Sequence, residues 1–181
     1  MNFNWNISNE ADFKEFDKWI INNNNFLKDR KLSEVISNTI NGCVRPCYCA
    51  TAKIKKEVCG FVLISHNFNE KPVKQAMIDL IVTNPKLSNN GFGTAMIFDV
   101  VKNCEKIFGF KPEKINALVN VTNNSSKKIF LKNYFTDLKQ NEAKLSDFDY
   151  YDFEKILKDE NLTEDKVFKK RAKQVIKQVK K

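Results

Sequence analysis

The stretch that decides the fold runs Gln75-Ala76-Met77-Ile78-Asp79-Leu80-Ile81-Val82-Thr83, then Asn84, then Pro85-Lys86-Leu87-Ser88-Asn89-Asn90-Gly91-Phe92-Gly93-Thr94. The first nine residues are mostly apolar and read as a strand. Beyond the loop, Ile97, Val101, Cys104 and Phe108 recur at i, i+4, i+7 and i+11, one face of a long helix that Gly109 ends. The loop carries two glycines, which remove side chains where a backbone must come close to something. A helix starting there offers unpaired N–H groups and the positive end of its dipole. Together these make an anion site suited to a pyrophosphate.

A lone Gly-x-Gly is also compatible with nothing more than a tight turn. Two familiar phosphate-binding patterns are excluded. The dinucleotide fingerprint needs a third glycine in a βαβ unit near the start of a parallel sheet, and the P-loop needs a following Gly-Lys-Ser/Thr.

Working outward, Phe3, Trp5 and Ile7 alternate with polar residues as in a half-buried strand. Phe13, Phe16, Ile20 and Phe26 fall at helical spacing. Leu32, Val35, Ile36 and Ile40 suggest a second helix, with Gly42 following where a helix end would want it. Residues 47–54 and 57–65 read as two strands, the second almost wholly apolar and so central. Lys114 to Val121 is a further strand, 124–133 a helix, and another strand starts at Phe135. The order β-α-α-β-β-β-α-β-α-β predicts an α/β (α+β) fold, a mixed sheet with helices packed on it.

The strand, glycine loop and helix resemble the cofactor motif of the GNAT superfamily of N-acetyltransferases, Gln/Arg-x-x-Gly-x-Gly/Ala. Here it stands as Ser88-Asn89-Asn90-Gly91-Phe92-Gly93. A second pattern of that family is Asn-x-x-Ala/Ser-x-x-apolar-Tyr/Phe, followed by Gly-Phe. It is matched about thirty residues on by Asn123-Asn124-Ser125-Ser126-Lys127-Lys128-Ile129-Phe130, then Tyr134-Phe135. The resemblance implies a mostly antiparallel sheet whose central parallel strands, 75–83 and 114–121, splay apart around acetyl-CoA. It implies that Ile81, Val82 and Thr83 bind the pantetheine, and that amides from Asn89 and Asn90 through Gly91, Phe92, Gly93 and Thr94 hold the pyrophosphate. Asn123 and Ser126 then contact the pantetheine arm or the sulfur end, and Phe130 packs beside the thioester. Two departures stand out. Ser88 replaces the Gln or Arg, with Lys86 as a candidate substitute. Phe130 stands where many members have a proton-donating Tyr, while Tyr134, in place of the family's Gly, is a nearby phenol and a candidate acid.

Acetyl transfer needs a neutral amine, a polarised carbonyl and a route for the amine's proton. In this family the amine attacks directly. Asp79 interrupts an apolar strand beside the implied cleft, where burial would make it a better base. It reads equally as a half-exposed strand residue facing away from the core. His66, at a strand end, is a second candidate. The expected function is transfer of acetyl from acetyl-CoA to a primary amine. Two alternatives stand beside it: an amine carried on tRNA or another RNA, and a module that binds acyl-CoA without catalysis.

Composition bounds the rest. One domain, 1–157, is expected, followed by a basic helical tail, 158–181. Of the net charge of +9, most sits in 166–181, which holds eight basic residues and no acidic one; the other 165 residues net +1. The tail is expected to form a helix over 165–180 that rests on the domain, contacts a protein partner or binds RNA or an anionic surface. Glu142, Asp147, Asp149, Asp152 and Glu154 either attract a cationic amine or form an exposed loop. There is no membrane span and no signal-peptide pattern, so the protein is read as cytoplasmic, a monomer or homodimer. Five Cys without a CxxC pair, and a single His, read as buried free thiols rather than a metal site.

Overall fold

The computed structural model describes residues 3–21, 27–67, 72–138 and 150–157. The basic tail and most of the acidic segment, 139–149, lie outside the described residues. A seven-stranded sheet runs in the order β1-β2-β3-β4-β5-β7-β6. Its strands are β1 Asn4–Ile7, β2 Cys47–Ile54, β3 Glu57–His66, β4 Gln75–Thr83, β5 Lys114–Asn120, β6 Thr136–Asp137 and β7 Tyr150–Ile156. Helices α1 Glu10–Phe16, α2 Leu32–Gly42, α3 Phe92–Phe108 and α4 Asn124–Lys132 connect them. All neighbouring strands are antiparallel except β4 and β5. The mixed, mostly antiparallel α/β architecture expected from the sequence is the one observed.

Two cores lie on opposite faces of the sheet. On one, Met96, Ile97 and Val100 of α3 and Phe130 of α4 pack on Ala76, Ile78, Ile115, Ala117 and Phe153. On the other, Phe16, Leu32, Val35 and Ile36 pack on Cys49, Phe61, Leu63 and Val82. The apolar run of β3 is explained by this double coverage. At Gly60 the first sheet face meets α3 so closely that a Cβ would lie 2.5 Å from the Val82 carbonyl and 2.7 Å from Met96 Cε.

The first helix differs from the periodic reading. It ends at Phe16, and Ile20 is 76 % exposed. Phe26 lies outside the described residues. The cause is Asp17, which leaves the helix to accept from Ser33 N at 2.8 Å and Ser33 Oγ at 2.7 Å in the first turn of α2. Trp19 then takes the burial that Ile20 was expected to have, packing on Phe16 and Phe61. The start of α1 follows its sequence: Asn9 Oδ1 accepts from Ala11 N and Asp12 N, and the Asp12 carboxylate accepts from Asn9 N, a capping box. Gly42 is the last residue of α2, and Cys43 caps it.

Candidate active site

The parallel pair positions the site. The pairing of β4 with β5 runs only from Gln75↔Lys114 to Ile78↔Ala117. Beyond that, β4 stays with β3 as far as Thr83↔Gly60, and β5 stays with β7 as far as Asn120↔Tyr150. The two strands therefore part, and each leaves one edge unpaired. Such an edge is a ready template for an extended ligand.

Asp79 stands at the apex of this split. It is the first residue of β4 past the last parallel pair. It is also the extra residue of a β-bulge, because Leu63 pairs with Leu80 and Ile64 with Ile78. A bulge re-aims the side chain it carries. The carboxylate lies on the sheet face covered by α1 and α2, where Cys47 Sγ is 4.0 Å from its Oδ2. Burial raises its pKa, and the Ser65 hydroxyl and the Arg45 charge oppose that without cancelling it. Two nine-tenths-buried oxygens sit on the neighbouring strands: Ser65 Oγ and Asn116 Oδ1 have no hydrogen-bond partner in the resting geometry. Met77 aligns with both, pairing with Ser65 on one side and Asn116 on the other. Ser65 thus needs only a small adjustment to bond Asp79, or a donor brought by a ligand.

Downstream of the split lies a cleft of about 410 Å³. Its walls include Ile81, Val82 and Thr83 from β4, Ser88, Asn89, Gly91, Phe92, Gly93 and Thr94 from the glycine loop, and Asn123 and Ser126 from the start of α4. Most of the residues singled out in the sequence thus converge on one cavity. Asp79, Asn90 and Lys86 are not among its lining residues, and neither are Ser65 and Asn116; Asp79 sits two residues before Ile81, where the lining begins on β4.

The loop's geometry follows from its residues. Asn89 (φ 64) and Gly91 (φ 80) both lie in the left-handed region, which Asn tolerates and Gly occupies freely. Gly91 is the N-cap of α3 and gives no side-chain cap. The amides of Phe92, Gly93 and Thr94 are therefore left for water or a ligand, at the positive end of a 17-residue helix. At Gly93 a Cβ would lie 2.8 Å from Ile129 Cδ1, so the Ile129 side chain packs directly over the glycine.

The cleft's second wall is fixed by a residue that sequence reading missed. Asn133, buried just past α4, donates from Nδ2 to Thr94 O at 3.1 Å and to Ile129 O at 2.9 Å. Also missed were Ile129, Lys128 and Lys132 of α4, and Ile20, Ile21 and Leu27 on the opposite rim, all lining the cleft. The helical spacing of 125, 128, 129 and 132 was the available signal. Asn123 Oδ1 accepts from Ser126 N at 3.0 Å, so its carbonyl is engaged in capping α4.

Phe130 does not line the cleft. It is 3 % exposed and packs between Phe135 (5.1 Å) and Phe153 (5.7 Å) in the core. Tyr134 is 67 % exposed, also away from the cleft lining, with Lys155 Nζ 5.5 Å from its ring. Its φ of 60 explains the resemblance position: this site wants a residue free to be left-handed. Tyr134→Gly is expected to raise stability by about 0.5–1 kcal/mol, the left-handed penalty less glycine's unfolded-state entropy. Tyr134→Ala, which keeps the penalty and loses the ring, should not. Chemical denaturation midpoints decide between them. His66 belongs to the other sheet face from Asp79: it pairs with Ala76, stacks on Tyr48 and packs at a tilt on Phe110.

The described cysteines are free. Burial pushes the Cys47, Cys49 and Cys104 thiols up to about 12 and Cys59 to about 11, so they stay protonated and weakly nucleophilic at neutral pH. Among the described residues no group of three or more His, Cys, Asp or Glu is arranged to hold a metal, and no helix is long and apolar enough to cross a membrane.

No family model matches the sequence, and no curated protein matches it. Solved structures do match. Spermidine N-acetyltransferase from Vibrio cholerae, in complex with CoA and spermine, aligns over 85 % of this chain and 95 % of its own, at 15 % identity and TM-score 0.58. A GNAT-family acetyltransferase from Bacillus cereus aligns over 87 % and 100 %, at 17 % identity and TM-score 0.57. A putative GNAT acetyltransferase from Desulfovibrio desulfuricans aligns over 86 % and 99 %, at 9 % identity and TM-score 0.62. The chain has the fold of the GNAT N-acetyltransferases.

Proposed function

We propose that the protein transfers an acetyl group from acetyl-CoA to a primary amine by direct attack. The observation that carries this reading is the split of β4 from β5, with an uncapped helix N-terminus along it and a carboxylate at its apex. The free edges of β4 and β5 suit the amide-bearing pantetheine, and the amides of Phe92, Gly93 and Thr94 suit the pyrophosphate. The neutral amine attacks the thioester carbonyl, a C–N bond forms, and the C–S bond breaks. The amine's proton passes to Asp79, directly or through one water, and the thiolate leaves on coenzyme A. Asp79 is suited to this because burial raises its pKa above the ordinary carboxylate value, which makes it a stronger base. Tyr134 is given no step, because its ring is exposed and lies on Lys155. Direct attack also needs no acyl-enzyme, consistent with thiols held protonated by burial.

The test is release of free thiol from acetyl-CoA across a panel of primary amines: diamines, polyamines, amino sugars and lysyl peptides. Amine-dependent release, proportional to enzyme, is expected for at least one class. Tight acetyl-CoA binding with no amine-dependent release would instead make this an acyl-CoA-binding module.

A further inference from the structure

We propose that Lys128 and Lys132 bind the phosphates of acetyl-CoA, taking over from the side chain that Ser88 lacks. This rests on the acetyl-CoA reading above. Among the described residues the lining of the cleft contains no Asp or Glu, and Lys128 and Lys132 are its only charged side chains. They are four residues apart on α4 and so share one helix face. Among the described residues neither makes an ion pair, whereas the adjacent Lys127 lies 4.0 Å from Asp137. Like charges one turn apart repel, and an anion between them relieves that repulsion.

Their place relative to the glycine loop is fixed. Ile129, between the two lysines, touches the position of Gly93, and Asn133, next to Lys132, bonds the carbonyl of Thr94. The lysine face of α4 is thereby held beside the first turn of α3, whose free amides are the anion site. Lys86, the alternative considered from sequence, does not line the cleft; its amide is engaged by Asn84 Oδ1 at 3.1 Å. Two flexible ammonium groups then complement the fixed backbone donors, a division of labour that suits a ligand carrying several phosphate charges.

The experiment is calorimetric titration of wild type, Lys128→Met, Lys132→Met and the double variant with acetyl-CoA and with S-acetylpantetheine, which has no phosphate. Each single change should weaken acetyl-CoA about tenfold and the double about a hundredfold, the scale of one and two charge-assisted contacts. S-acetylpantetheine affinity should not move, which also shows that the variants are folded. Wild-type affinity should fall with added salt, and the double variant's should fall less. Acetyl-CoA affinity within twofold of wild type in the double variant would overturn the assignment, as would an equal loss for both ligands. A wild type that binds neither ligand would overturn the acetyl-CoA reading itself.

Discussion

Asp79→Asn is expected to lower kcat by about 10²- to 10⁴-fold, the usual contribution of a positioned base, and to raise the melting temperature at neutral pH. Both effects come from one cause. Burial raises the Asp79 pKa above its ordinary 3.8. The folded state therefore holds this proton more tightly than the unfolded chain does, and the group's contribution to stability falls as pH rises through the folded pKa. Asn keeps the shape and removes the buried charge, so the stabilisation should be largest above that pKa and shrink below it. The rate should follow the opposite course. In wild type kcat/KM should rise with pH as Asp79 ionises, at a midpoint above the ordinary 3.8. In Asp79→Asn that limb should be missing. A variant that keeps wild-type kcat with the same acid limb would remove Asp79 from the mechanism and return it to a strand residue with a bulge.

Gly91→Glu is expected to cost at least 100-fold in acetyl-CoA affinity, the order set by losing two or more charge-assisted contacts and adding a like charge. At φ 80 a side chain strains the turn, and open space around the position leaves the new carboxylate free to occupy the phosphate site. Gly91→Asn is the matched control. Asn tolerates the left-handed region, so this variant should keep the loop and lose no more than a few-fold. If both variants bind equally well, the loop is a turn and nothing more.

Much of this site was legible because its parts are local. Strand 75–83, the paired glycines and the face Ile97, Val101, Cys104, Phe108 follow from period and turn chemistry within one segment, and the structure returns them almost residue for residue. The split itself was legible only through resemblance. Nothing in residues 79–83 or 118–120 says that they will not pair, because that depends on which neighbour each strand keeps. The bulge at Asp79 is likewise a register event between β3 and β4, invisible in either strand alone. Asn133 looked like a helix end, and its role depends on Thr94 across the cleft. Phe130 shows the reverse failure. Its place in the second motif suggested the thioester, but Phe135 and Phe153 offer it a dry aromatic site, and β7, which carries Phe153, followed an acidic stretch with no clear period. The first helix was overextended because Asp17 serves α2, a contact sixteen residues away that periodicity cannot register.

The most direct measurement is calorimetric titration of the wild-type protein with acetyl-CoA. Saturable one-to-one binding, competed by coenzyme A and weakened by salt, is the predicted result. A well-folded protein that gives no heat and no shift in melting temperature at millimolar acetyl-CoA would contradict the account, leaving a GNAT fold whose cleft serves some other ligand.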